Sequence, residues 1–444
     1  MKEAVTRRHH HMKKITAALI LGVVINIMCA CDSSLSKKQT LEIVGFDISS
    51  KQEEILSAFQ EKYPEIEMQV TDYAQDGDFQ TALQRLNADI MGKNVGDILI
   101  ANTLIPIGQY VEKGILWNLE EAEGIEEVKQ TLLPSVVKTC EKGGEMYSIF
   151  SNFSINCFAG KKEVLSDDKW SAESVSKVFD ELADKECNVF SSRSKTVYEE
   201  MLIAMVEEDV KKNRMITKDQ EMIRFMESSR RLIEISDNAP VREPENQQPY
   251  QSGEIPVSWE FIGGFNEFYY LNKVKYAEED ILLKGNPISV SVPLFDTSLE
   301  LSVFQSSEQK ELAWKYISFL LSEEYQDKYY SEERYVFPVN QKVFDKVYEA
   351  VLAGLEPGDE EGMVETDYRY VINGKEVDIG IPTKEDLQPL LDTIHSMDSI
   401  RKYDKEIIQI VTEQMRKYVA NGGSAKSYVE DMKYKIGVLM EERR

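Results

Sequence analysis

The sequence predicts an α/β protein, with mostly parallel strands covered by helices, that is divided into more than one domain. Its 444 residues correspond to two or three domains of about 100–200 residues each. From residue 41 onward, β-type runs alternate with helical stretches, and successive βα units favour a parallel sheet. Hydrophobic residues make up 42% of the chain, which is enough for packed interiors and excludes global disorder.

The first six elements follow from hydrophobic periodicity and from residues that end helices, such as Pro64 and Gly114. In chain order they are strand Leu41–Phe46, helix Lys51–Tyr63, strand Ile66–Val70, helix Phe79–Ile90, strand Gly96–Ile100 and helix Ile107–Lys113. Parallel sheets bind ligands at the carboxyl ends of their strands. We therefore expect the loops Asp47–Ser50 and Ala101–Thr103 to share one rim.

Later elements are marked by turn signals. Asn373-Gly374 between apolar runs, in Tyr370–Val377, is the signature of a type I′ hairpin. The stretch from Tyr403 to Arg443 reads as two closing helices with a turn at Gly422-Gly423.

The amino terminus reads as a bacterial export signal. Basic residues precede the apolar run Ile15–Ile25, whose 11 residues are fewer than the roughly 20 needed to span a bilayer. The run leads to Met28-Cys29-Ala30-Cys31, which resembles a lipobox, where the cysteine thiol receives a diacylglycerol. We expect residues 1–31 to be a lipoprotein signal with Cys31 as the lipidated residue, and residues 32–40 to be a polar tether. A plain secretory signal or a transmembrane anchor are the alternatives, and Met12 is an alternative start to Met1.

Composition argues against several classes of function. The 78 acidic residues outnumber the 52 basic ones, giving a net charge of −26 that repels nucleic acid. Of the four histidines, only His395 lies outside the predicted signal, which disfavours Ser/His or Cys/His nucleophilic chemistry and a His-rich metal site. The remaining cysteines match neither a zinc pattern nor a disulfide framework, so they are either buried apolar residues or include one bonded pair: Cys140, Cys157 and Cys187.

Several short motifs carry a family resemblance in their order and spacing. Besides the opening strand, helix and Tyr63-Pro64 turn, they are Gly96–Leu99, Tyr110–Leu119, Tyr147–Phe150, Gly253-Glu254 with Trp259, Ser306–Leu321 and Phe337–Asn340. Together they resemble the extracellular solute-binding proteins of ABC importers, of the sugar-binding type. Gly96 departs from the family, which usually has proline there.

The resemblance implies a two-lobed, periplasmic-binding-protein-like clamshell of type II. The first lobe would comprise residues 40–146 and 285–336, and the second residues 147–284 and 337–444, which carry the C-terminal helices. It also implies a monomeric protein without cofactor, metal or catalytic residues. With the lipobox at Cys31, we expect it to be lipid-anchored on the outer face of the cytoplasmic membrane. Such a protein would capture a carbohydrate between its lobes and deliver it to the permease.

Candidate ligand residues are carried over by position. They are Phe46 and Asp47 after the first strand, Asn102 and Thr103 after the third, Asn152 after the first crossing, Trp259, Glu260 and Phe261 at a strand end, and Tyr335 and Phe337 near the second crossing. Sugar recognition combines aromatic faces with a few directed polar groups. Trp259 could instead be a core residue, and Asp47 a helix cap.

The sequence remains compatible with three alternative functions. Acidic residues among the candidates suit a cationic solute such as a polyamine. Paired carboxylates would also suit an extracellular glycoside hydrolase. A sensory protein would present its loaded form to a receptor instead of a permease.

Overall fold

The structure is a computed structural model. It describes residues 39–46, 50–76, 79–171, 174–187, 194–238, 248–277, 281–287, 292–297, 299–330, 336–357, 363–402 and 404–443. The predicted signal with Cys31, residues 32–38 of the predicted tether, and the candidates Asp47 and Tyr335 lie outside these residues. Residues 39–40, predicted as the end of the tether, instead begin the first strand. Contacts divide the chain into a small unit, whose described residues are 39–42 and 50–70, and a large unit that holds the rest.

The small unit contains the beginning of strand β1 (Gln39–Gly45), helix α1 (Ser50–Lys62) and most of strand β2 (Ile66–Asp72). Leu56 and Phe59 of α1 are buried, as the predicted apolar face requires. The helix ends because Pro64 cannot continue it.

The first sheet of the large unit contains the end of β1 with strands β3 (Ile98–Ala101), β6 (Ile149–Phe150) and β11 (Glu300–Val303). The order is β1-β3-β11-β6, with β1 parallel to β3 and β11 antiparallel to both of its neighbours. Every residue of β3 and β11 is buried. This sheet is therefore covered on both faces, as expected for an α/β layer.

The second sheet is built around the ten-residue strand β7 (Asn152–Lys161). Its partners are β8 (Val257–Ile262), β9 (Ile281–Lys284), β10 (Leu294–Asp296) and β12 (Phe337–Pro338), all antiparallel to it. The protein is thus mixed α/β as predicted. Parallel pairing has a smaller share than the βα alternation suggests, because β7 recruits its neighbours from distant parts of the chain.

Among the described residues, the other strands form three short antiparallel pairs. They are β4 (Glu141–Lys142) with β5 (Glu145–Met146), β13 (Leu355–Pro357) with β14 (Met363–Glu365), and β15 (Arg369–Ile372) with β16 (Lys375–Asp378). The other helices are α2 (Phe79–Gly92), α3 (Ile107–Glu112), α4 (Ile125–Lys129), α5 (Pro134–Cys140), α6 (Lys162–Leu165), α7 (Val175–Asp184), α8 (Ser194–Asn213), α9 (Asp219–Asn238), α10 (Gln248–Gln251), α11 (Phe265–Tyr270), α12 (Lys310–Leu321), α13 (Glu323–Tyr330), α14 (Gln341–Leu352), α15 (Lys384–Ser396), α16 (Lys405–Asn421) and α17 (Ala425–Glu442).

These bounds confirm the predicted early elements to within two residues at each end. The β15–β16 hairpin turns at Asn373 and Gly374, both with positive φ (51° and 77°), which confirms the type I′ prediction. The two closing helices are also confirmed, as α16 and α17.

Beside the second sheet, α7, α8, α9, α16 and α17 enclose a large apolar core that includes Phe179, Tyr198 and Phe225. Cys140, Cys157 and Cys187 are free and buried, which confirms the apolar interpretation over a bonded pair. No helix in the part of the chain that the structure describes combines the length and the apolar character needed to cross a bilayer.

Candidate functional site

The two sheets of the large unit are joined through a buried aromatic cluster, here called the crossing cluster: Phe150, Phe153, Phe295 and Phe337. Phe153 lies at the centre, with its ring 4.9 Å from Phe295 and 5.2 Å from Phe337. All four side chains are at most 1% exposed. Phe337, a candidate ligand residue, therefore serves packing between the sheets rather than a binding surface.

Strand β8 carries a partly exposed aromatic pair beside these crossings. Trp259 and Phe261 are two residues apart and so project from the same face of the strand. Their ring centroids are 5.1 Å apart, and both side chains are only partly buried. Trp259 packs against the large apolar core, and its Nε1 donates a hydrogen bond to Asn156 Oδ1 at 3.3 Å.

Glu260 lies between these aromatics in sequence and projects to the opposite face of β8. There its carboxylate pairs with Lys275 Nζ at 2.5 Å, and Lys275 also lies 4.6 Å from the Tyr250 ring centroid. The structure thus brings Trp259 and Phe261 together and separates Glu260 from them.

Arg401 completes this surface, which we call the Trp259 face: Trp259, Phe261 and Arg401. The guanidinium carbon is 5.3 Å from the centroid of each ring. Cation–π attraction of this kind contributes about 0.5–2 kcal/mol, depending on desolvation.

Backbone pairing holds Arg401 in place. Phe295 N donates to Ser399 O at 3.0 Å, and Arg401 N donates to Phe295 O at 2.7 Å, so residues 399–401 extend alongside β10. Two carboxylates hold the guanidinium, with Asp296 at 3.0 Å from Nη1 and Glu200 at 3.2 Å from Nη2. The cation is therefore fixed before any ligand arrives.

Two further cations follow Arg401 in the chain. Lys402 pairs with Glu300, whose other carboxylate oxygen accepts a hydrogen bond from Ser148 Oγ at 2.7 Å. Lys405, the first residue of α16, places its Nζ 4.2 Å from the Phe79 ring centroid. Sequence analysis missed this segment, and its only local signal was basic residues just before a helix in an acidic chain.

Burial perturbs two glutamates of α8 that face the same segment. Burial raises the pKa of Glu200 to about 6, while the Arg401 charge opposes this. Burial raises the pKa of Glu207 to about 8, although its carboxylate accepts a hydrogen bond from Asp404 N at 2.7 Å. Glu207 is therefore mainly protonated at neutral pH.

The predicted aromatic residue after β1 has a different environment. Phe46 is only 4% exposed, and it packs with Tyr73 and Phe79 at centroid distances of 5.8 and 5.2 Å. We call these three residues the Phe46 cluster. Phe79 is its partly exposed member and is the ring that Lys405 approaches.

The remaining polar candidates serve local structure. Asn102 Oδ1 accepts a hydrogen bond from Leu104 N at 2.9 Å, which closes the turn after β3, and Thr103 beside it is partly buried. Asn152 is buried at the start of β7, and its Oδ1 accepts a bond from Thr297 Oγ1 at 3.3 Å. Within the described residues, no group of three His, Cys, Asp or Glu side chains is placed to hold a metal ion.

Comparison with known proteins gives one family and a set of similar folds. A family model described as "Bacterial extracellular solute-binding protein" matches residues 54–352. Comparison with curated proteins finds no match.

Solved structures match over nearly the whole of their own length. The sugar-binding protein MalE from Xanthomonas citri is 13% identical, with a TM-score of 0.53 over 91% of this chain and 98% of its own. A family 1 extracellular solute-binding protein from Alicyclobacillus acidocaldarius is 14% identical, with a TM-score of 0.52 over 90% and 98% of the two chains. The Listeria monocytogenes ABC substrate-binding protein Lmo0181, solved with cycloalternan, is 16% identical, with a TM-score of 0.51 over 91% and 100%. These matches confirm the predicted two-lobed fold.

Proposed function

Since this chain belongs to the bacterial extracellular solute-binding proteins, we propose that it captures a carbohydrate between two lobes and delivers it to an ABC importer. The lobes would be residues 40–146 with 285–336, and residues 147–284 with 337–444. The Trp259 face belongs to the second lobe in this division, and the Phe46 cluster to the first. Proteins of this family bind solutes and do not transform them.

The Trp259 face is the observation that carries the carbohydrate assignment. Sugar rings present C–H surfaces that pack on aromatic faces, and hydroxyl groups that need directed polar partners. Trp259 and Phe261 supply two partly exposed rings, and the Arg401 guanidinium supplies donors that Asp296 and Glu200 already orient. A surface that is ordered in advance loses less entropy when a ligand binds.

The charges around this face favour an uncharged solute over a polyamine. Glu200 and Asp296 are paired with Arg401, Glu300 with Lys402, and Glu260 with Lys275. A polyamine would have to displace these internal cations to gain carboxylate contacts. A polyol can bind beside them without breaking an ion pair.

Delivery would depend on closure of the lobes. A ligand that contacts both lobes stabilises the closed state, because only that state offers both sets of contacts. A permease that recognises the closed state thereby recognises the loaded protein. Attachment of a lipid to Cys31 would keep the protein on the outer face of the membrane. Presentation to a receptor, in a sensory role, uses the same closure.

A thermal-shift screen of the purified full chain tests this proposal. Mono- and oligosaccharides are compared with polyamines and amino acids, and Trp259→Ala is the matched control. A ligand at 100 times its Kd adds about 2.7 kcal/mol, which corresponds to a rise in Tm of a few degrees. We expect at least one saccharide to raise the Tm of the wild type and not that of the variant.

Two outcomes would contradict the proposal. A stabilising polyamine with no active saccharide would assign a cationic ligand. Turnover of an aryl glycoside by the same preparation would support the hydrolase alternative.

A further inference from the structure

Gln326 of α13 is the buried amide with the most complete set of backbone contacts near the crossings. Its side chain is 0% exposed. The Nε2 group donates to Ser151 O at 2.7 Å and to Leu320 O at 2.9 Å. The Oε1 atom accepts from Val339 N at 2.9 Å and from Asn340 N at 3.0 Å. Both donors and both acceptor positions of this amide are therefore used.

The groups that Gln326 binds belong to two separate crossings. Ser151 is the single residue between β6 of the first sheet and β7 of the second. Val339 and Asn340 directly follow β12, which pairs with the beginning of β7 through Phe337 opposite Phe153 and Pro338 opposite Asn152. One side chain thus connects two chain segments that are far apart in sequence.

The segment around the two residues that Gln326 binds, residues 339–341, is also hydrogen-bonded to two other parts of the chain. Leu133 N donates to Val339 O at 2.9 Å, and Gln341 N donates to Thr131 O at 2.9 Å. Asn340 Nδ2 donates to Leu321 O at 3.1 Å, at the end of α12. Rotation of a crossing at residues 151 or 339–340 would break several of these buried bonds, at about 1–3 kcal/mol for each group left without a partner.

We propose that Gln326 is a positioning residue that makes the two crossings bend together when the lobes close. It holds Ser151 and residues 339–340 in one rigid node, so bending is confined to the paired residues 152–153 and 337–338. These two crossings then rotate together as the lobes close. This inference rests on the proposed closure of the lobes and is independent of the ligand's chemistry.

Hydrogen exchange of the ligand-free full chain tests the coupling directly. In the wild type, the amides of Val339 and Asn340 should show the same opening free energy and the same urea dependence as the amide of Ser151, because Gln326 holds all three residues together. Different urea dependences for the two crossings would overturn the proposal. This measurement needs no variant and no ligand, so it does not depend on the outcome of the saccharide screen.

Two substitutions distinguish a positioning role of Gln326 from a general stabilising role. Gln326→Met keeps the approximate side-chain volume and removes all four bonds, so the amides of Val339 and Asn340 should exchange about tenfold faster or more. Gln326→Glu keeps an acceptor for these two amides and, as the carboxylate, loses the hydrogen bonds that Nε2 donates to Ser151 O and Leu320 O. In this variant residues 339–340 should stay protected, while the two crossings lose their common urea dependence.

The control is Asp209→Ala. Asp209 is 1% exposed and accepts bonds from Thr217 N and Lys218 N, in the loop between α8 and α9 and away from the crossings. We expect it to loosen that loop and leave the coupling of the crossings unchanged. In both Gln326 variants, exchange protection could instead fall equally throughout the protein while the two crossings keep the same urea dependence. That result would show that Gln326 only stabilises the fold.

Discussion

The Phe46 cluster and the Trp259 face each contain one ligand candidate from the sequence, and the two candidates differ in the structure. Phe46 directly follows β1, and Trp259 is the third of the six residues of β8 rather than a strand-end residue. Phe46 is 4% exposed and packs between Tyr73 and Phe79, whereas Trp259 is partly exposed and has Arg401 beside it. The position of a residue along a strand therefore does not determine its exposure, and tertiary packing decides which side chain faces the solvent.

The largest contrast is expected between Phe46→Ala and Trp259→Ala. Removal of the buried Phe46 ring should lower the free energy of unfolding by about 3–5 kcal/mol. Trp259→Ala should cost less stability and weaken saccharide binding by about 2–4 kcal/mol, as for other aromatic anchors. Urea denaturation and calorimetric titration measure the two effects. If Phe46→Ala lost saccharide binding without losing stability, Phe46 would be a ligand residue and this prediction would be wrong.

Arg401→Ala tests whether the Trp259 face depends on its fixed cation. The side chains of Arg401, Asp296 and Glu200 are 13%, 18% and 24% exposed, so the change removes the guanidinium from two mainly buried carboxylates. We expect a loss of about 3 kcal/mol in the free energy of unfolding.

Arg231→Ala is the matched control for this change. Arg231 also pairs with two carboxylates, Asp180 and Asp184, but these side chains are 49%, 50% and 71% exposed. Exposed pairs contribute about 0–1 kcal/mol. Equal losses in the two variants, measured by urea denaturation, would show that Arg401 is an ordinary surface cation.

Per pH unit, the smallest expected effect concerns Glu207, whose carboxyl group accepts a hydrogen bond from Asp404 N. Its pKa is raised from an ordinary value of 4.5 to about 8, so between these values the native state holds a proton that the unfolded state has released. Stability should therefore fall as the pH rises from 4.5 to 8, by on the order of 1 kcal/mol per pH unit. Glu207→Gln should remove this component. An unchanged difference between variant and wild type across that pH range would contradict the assignment.

The sequence predicts most of the fold because its signals are local. The periodicity of α2, the proline after α1 and the Asn373-Gly374 turn each act over a few residues. The alternation of Trp259, Glu260 and Phe261 likewise places the two aromatic residues on one face of β8.

The part of the candidate site that the sequence does not predict, Arg401 and its partners, depends on long-range pairing. Arg401 reaches Trp259 because residues 399–401 extend alongside β10, more than a hundred residues earlier in the chain. The same pairing brings Glu200 of α8 to the guanidinium. No local pattern around Arg401 encodes these contacts, so only the tertiary structure identifies it.

The central claim is that a saccharide binds at the Trp259 face. A crystal structure with the most stabilising saccharide from the thermal screen tests it most directly. The account predicts a sugar ring against Trp259 or Phe261, with a hydroxyl group bonded to Arg401, and no contact with the buried ring of Phe46. A saccharide bound elsewhere, for example in the open groove of about 520 Å³ lined by Lys129, Pro134 and Lys138, would contradict it.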